Sequence, residues 1–112
     1  MKTISKLGAQ GDVMFRRVKS IPKTATVAQP VDGRHVVAHS ETGHHHALDA
    51  VEGVTMHVIG DPLVCYLRLD ADADVIHYRG WDTHETLRLT PGIYEVRRQR
   101  EYTPEGWRRV ED

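Results

Sequence analysis

The chain has a single cysteine, Cys65, which rules out an internal disulfide and fits a reducing compartment. No stretch approaches the eighteen or so apolar residues that a membrane-spanning helix requires, and Met1-Lys-Thr-Ile-Ser-Lys-Leu-Gly8 lacks the apolar segment of a secretory signal. Net charge is nearly absent too. Fifteen basic residues stand against sixteen acidic ones, leaving -1, which excludes a global field drawing the protein to nucleic acid or an anionic membrane. Gly8, Gly11, Gly33 and Gly43 are too scattered to form a phosphate-binding loop, and no repeat, low-complexity tract or linker divides the sequence. The expectation is one cytoplasmic domain over residues 1–112, with ordinary apolar (39%) and charged (28%) fractions that argue against disorder.

Short β-type runs separated by turn chemistry fill most of the length. Val13–Val18, Arg34–His39, His44–Asp49, Val54–Ile59, Leu63–Leu69, Asp74–Tyr78, Thr86–Leu89 and Ile93–Gln99 read as strands. Pro22 ends one run because it has no ladder N–H, Asp32-Gly33 is a hairpin signal because both residues tolerate positive φ, and Glu52-Gly53 and Gly60-Asp61-Pro62 supply further breaks. Spacing of roughly ten residues predicts an all-β fold, a small antiparallel barrel or sandwich. Cys65 alternates with Leu63, Leu67 and Leu69 and reads as a buried small hydrophobe. Only Thr103-Pro104-Glu105 looks helical, with a capping hydroxyl, proline at the first helical position and an early acid; it predicts a short C-terminal helical turn, with Trp107 and Val110 packed on the sheet.

The densest chemistry lies in Ala38-His-Ser-Glu-Thr-Gly-His-His-His-Ala47. In an extended segment side chains alternate, so His44 and His46 share the face of Leu48 while His45 points away. Two imidazoles are half a metal site. His84 is the best distant ligand, Glu41 and His39 the local ones, and His57 and His77 are cross-strand or outer partners. Such a set suits Zn, Fe, Mn or Ni without choosing among them. Asp70-Ala-Asp-Ala-Asp74 opens like a calcium loop but lacks its glycine and its closing glutamate, which places it in solvent. Ser40 sits in no nucleophile elbow.

A second cluster, Tyr94-Glu-Val-Arg-Arg-Gln-Arg-Glu-Tyr102 with Arg108, puts Arg98 and Arg100 on one strand face with Tyr94. Guanidinium beside aromatic surface suits phosphate or base recognition. The balanced charge favours a plainer account, an edge strand whose arginines are neutralised by Glu95, Glu101 and Glu105.

Gly11-Asp-Val13, the Glu41-Thr-Gly-His44-x-His46 centre and the ending Pro91-Gly-Ile-Tyr-Glu-Val-Arg-Arg-Gln-Arg-Glu-Tyr102 resemble a family of small proteins encoded by bacteria and their phages, to which no activity attaches. That resemblance implies that His44, His46 and His84 belong to the family pattern and that His45 is incidental. A weaker likeness is to cupins, whose His-x-His strand is followed by an acid, here Asp49 or Glu52, and whose second motif contains Pro-Gly, here Pro91-Gly92. No histidine follows Pro91-Gly92 to complete a cupin ligand set.

Two functions compete. One is a small metal-binding β protein holding a divalent ion on His44, His46 and His84, with Glu41 as a further ligand and Glu41 or Glu85 as a base if the ion is catalytic. The other is a non-enzymatic accessory module that captures an anionic ligand or a partner through Tyr94, Arg98, Arg100 and Arg108. Beside these stands a purely structural reading, an oligomer with histidines at its interface, and homo-oligomerisation would cover the open strand edges in every case.

Overall fold

A computed structural model describes residues 1–39, 45–77 and 85–98, together with the strand backbone at 100–103 and 106–109. It is all-β. Strands β1 (Lys2–Ile4), β5 (Arg34–Ala38), β6 (His46–Asp49), β9 (Ala73–His77) and β10 (Leu87–Leu89) form a five-stranded sheet in the order β1-β10-β9-β6-β5. Strands β2 (Leu7–Gln10), β3 (Val13–Val18), β4 (Thr26–Ala28), β7 (Val54–Val58), β8 (Val64–Leu69) and β11 (Gly92–Arg98) form a six-stranded sheet in the order β2-β3-β11-β8-β7-β4. All pairs are antiparallel except β1 with β10.

The two sheets share one core. Ile4, Leu48, Val75, Leu87 and Leu89 from the first meet Phe15, Leu67, Tyr94 and Val96 from the second, a sandwich arrangement. Period-two patterning produces it directly: in β11 Tyr94, Val96 and Arg98 are buried while Arg97 is exposed, and in β3 Val13 and Phe15 are fully buried before Arg16 and Arg17 emerge. Cys65 packs among these residues, and burial pushes its thiol up to about 12.

Turn chemistry sets the hairpins. Asp32 and Gly33 have φ of 51° and 74°, and Val31 and Arg34 exchange both backbone hydrogen bonds across them, the geometry of a primed two-residue turn. Gly11, at φ 60°, opens the two-residue link between Gln10 and Val13.

Two expectations fail. The described C-terminal residues are strand where a helical turn was expected: β12 (Arg100–Thr103) pairs antiparallel with β13 (Gly106–Arg109), bringing Tyr102 opposite Trp107 in register, while Pro104, Glu105 and Val110 lie outside the described residues. Residues that pair across two strands gain ladder hydrogen bonds that one unsupported helical turn could not supply. Nor is the first part of the arginine cluster an edge, because β11 lies between β3 and β8, whereas Arg100 and Glu101 fall on β12 of the two-stranded sheet. No helix among the described residues is long and apolar enough to cross a membrane.

Candidate functional site

Histidines gather at one end of the smaller sheet. Register places His46, the first residue of β6, directly opposite His77, the last of β9. Both are fully buried, and their rings stack at 4.1 Å with an interplanar angle of 10°. At the neighbouring strand end His39 meets His45 edge to face, with centroids 5.1 Å apart. A bulge between Val36 and Ala38 shifts the β5 register as it reaches this point.

Gln10 reaches into this end from β2 of the opposite sheet. Its Nε2 donates to the carbonyls of Val75 (3.0 Å) and Glu85 (2.9 Å), and its Oε1 lies 2.8 Å from Nδ1 of His46. Two carbonyl partners can only accept, which fixes the amide orientation and leaves Oε1 facing the ring. Nδ1 of His46 is therefore the protonated nitrogen, and Nε2 is the basic one in the neutral ring. Gln10 is 2% exposed. Nothing in the sequence singled it out, because its three partners lie 36, 65 and 75 residues away.

Glu41, His44 and His84 lie outside the described residues. The described residues nearest to them in sequence are His39, His45, His77 and Glu85. Glu85 has its carboxylate in solvent, 3.8 Å from the terminal ammonium of Met1. Among the described residues no three His, Cys, Asp or Glu side chains are grouped to hold a metal. His35 and His57 stand elsewhere. Burial lowers the His35 pKa, opposed by a hydrogen bond to the Val54 backbone; burial and Arg68 lower that of His57, which bonds Thr55 Oγ1 at 3.1 Å.

Within the second cluster, Tyr94 and Arg98 do not share an exposed surface. Tyr94 is fully buried, donating its hydroxyl to the Thr90 carbonyl at 2.8 Å. The Arg17 guanidinium lies 5.4 Å from its ring centroid and also bonds the Ser5 carbonyl (2.6 Å), Thr90 Oγ1 (3.2 Å) and the Pro91 carbonyl. Arg98, four residues along and so about 13 Å away, turns into the core and donates from Nε to Asp12 Oδ2 at 2.7 Å. Arg100 and Arg108 fall on the two strands of the C-terminal hairpin. On the outer face Glu95 is pushed up by its partial burial but held below the usual carboxylate range by Arg97, Arg16 and the Tyr66 hydroxyl. Glu95 thus does neutralise arginines, although at the centre of a sheet.

The family described as a domain of unknown function (DUF8820) matches residues 9–99. No curated protein and no solved structure matches the chain.

Proposed function

The chain belongs to the DUF8820 family, a domain of unknown function, and we propose from its site that it is a small metal-binding β protein, with one divalent ion held at the histidine-rich end by Nε2 of His46, by His44 and His84, and by Glu41 as a carboxylate ligand. The observation that carries this reading is the Gln10 network. A metal-ligating imidazole characteristically donates its other N–H to an oxygen that fixes its tautomer and ring angle, and Gln10 Oε1 does so for His46. The ion would be Zn, Fe, Mn or Ni. In a catalytic version Glu41 is the base candidate we favour, since the Glu85 carboxylate is engaged with the amino terminus at 3.8 Å.

Elemental analysis of tag-free protein is expected to return about one metal per chain. His46→Ala, His44→Ala and His84→Ala should each abolish binding, and His45→Ala should not. Gln10→Leu should keep the ligands but weaken affinity by about 10- to 100-fold. Metal retained unchanged in Gln10→Leu and His84→Ala would end the proposal. Self-association through an open sheet edge belongs to the same reading.

A further inference from the structure

We infer that a cleft of about 310 Å³ between β5, β7 and β8 binds a small monocarboxylate with a short apolar body, its carboxylate on the Arg98 guanidinium. The site is independent of the metal reading. Its volume falls at the lower end of the range for small-molecule pockets. Ala38, Met56, Val58, Leu63 and Cys65 line it, an apolar wall that contributes binding through burial but no orientation. Orientation needs a polar group at the wall, and Arg98 is that group. Its side chain is 6% exposed and spends Nε on Asp12, while the buried Nη1 has no hydrogen-bond partner among the described residues. A buried guanidinium with an unused donor is costly unless an acceptor completes it, and a carboxylate matches the fork geometry.

The other groups around the cleft select the charge of the ligand. Asp12 already sits on Arg98, and Asp61 lines the same cleft with its Oδ1 taken by the Leu63 N–H at 2.9 Å. A phosphate or dicarboxylate would place a second negative charge near these carboxylates, so a single charge is favoured. The Cys65 thiol stays protonated and adds no charge.

The test is a nitrogen-15 NMR titration of the full chain, freed of metal by chelator, with hexanoate, hexanamide and inorganic phosphate. Removing metal keeps failure here distinct from failure of the metal site. Hexanoate should give saturable shifts at Arg98 Nε–H and at the amides of Ala38, Val58 and Leu63, with a Kd on the order of 1 mM or below. Hexanamide should bind at least about tenfold more weakly, and phosphate should give no saturation at these positions. Val58→Phe fills the cleft without touching the ion pair and should abolish the shifts in a protein that still melts cooperatively. Arg98→Lys keeps the charge but loses the fork, and should weaken hexanoate by about tenfold. Hexanamide equal to hexanoate, undiminished binding in Val58→Phe, phosphate saturating the same peaks, or shifts confined to the exposed Arg17 and Lys19 region would each overturn the assignment.

Discussion

Arg17 shows how much of this molecule is decided by single side chains. Its guanidinium closes the Ser5, Thr90 and Pro91 segments around Tyr94, and Gly92 passes it so closely that a Cβ there would lie 2.5 Å from Nη1, at a backbone φ of +149°. Gly92→Ala is therefore expected to destabilise by about 1–3 kcal/mol, measured by urea unfolding. Arg17→Ala should relieve the steric part, so the double variant should lose less than the sum of the singles; strict additivity would show that the close approach does not matter. The Pro91-Gly-Ile-Tyr94 signature is thus accounted for by folding, through partners 73 to 77 residues distant that no local reading supplies. Asp12 and Arg98 make the second residue-scale case, with side chains 1% and 6% exposed. Asp12→Ala leaves a buried cation and should cost about 3–5 kcal/mol, whereas Asp12→Leu with Arg98→Met should be far milder, since burying both charges offsets most of their attraction. A double variant as unstable as Asp12→Ala would refute that balance.

At the scale of elements, strands with strong alternation were legible and those defined by their neighbours were not. Val13–Val18 is recovered to the residue, and the strands ending at Asp49, Leu69 and Leu89 differ only at their starts. β1, β2 and β4 are three or four residues long and mostly exposed, too short to carry a periodic signal; β1 exists because Lys2 to Ile4 find Leu87 to Leu89 in parallel. The histidine-rich site was legible in the same partial way. The inward direction of His46 follows from alternation with Leu48, both of them at most 1% exposed, but its stacking on His77 and its bond to Gln10 follow from topology. Strand β5 gives the testable case at this scale. His35 is 5% exposed, and burial lowers its pKa against the pull of the Val54 backbone. A histidine depressed in the folded state binds its proton more tightly when unfolded, so its contribution is complete above the unfolded value near ~6.5 and declines as pH falls through that value toward the folded pKa. Urea unfolding between about pH 7.5 and 5 should show this loss, and His35→Leu should flatten the slope by up to one proton; an unchanged slope in the variant would remove His35 as its source.

For the whole molecule, the self-association proposed above would draw on an open sheet edge. Four strands end the two sheets: β1 and β5 in the smaller, β2 and β4 in the larger. Charge guards some of them, since β1 starts with Lys2 and β5 with Arg34, both exposed, and charged edge residues oppose strand addition. β4 is Thr26-Val27-Ala28, uncharged, with Val27 59% exposed. Two copies pairing antiparallel along β4 about a two-fold axis would join the six-stranded sheets into one continuous sheet and bury both Val27 side chains. Because β4 offers only three residues, the association should be weak, with a dissociation constant on the order of 10 μM to 1 mM. Sedimentation equilibrium is expected to show a 12.7 kDa chain giving way to its dimer as concentration rises through that range. Val27→Lys should return it to monomer without changing its melting temperature, while Leu7→Lys on β2 should leave the dimer intact. A monomer at every concentration would eliminate self-association, and a dimer insensitive to Val27→Lys would move the interface to another edge.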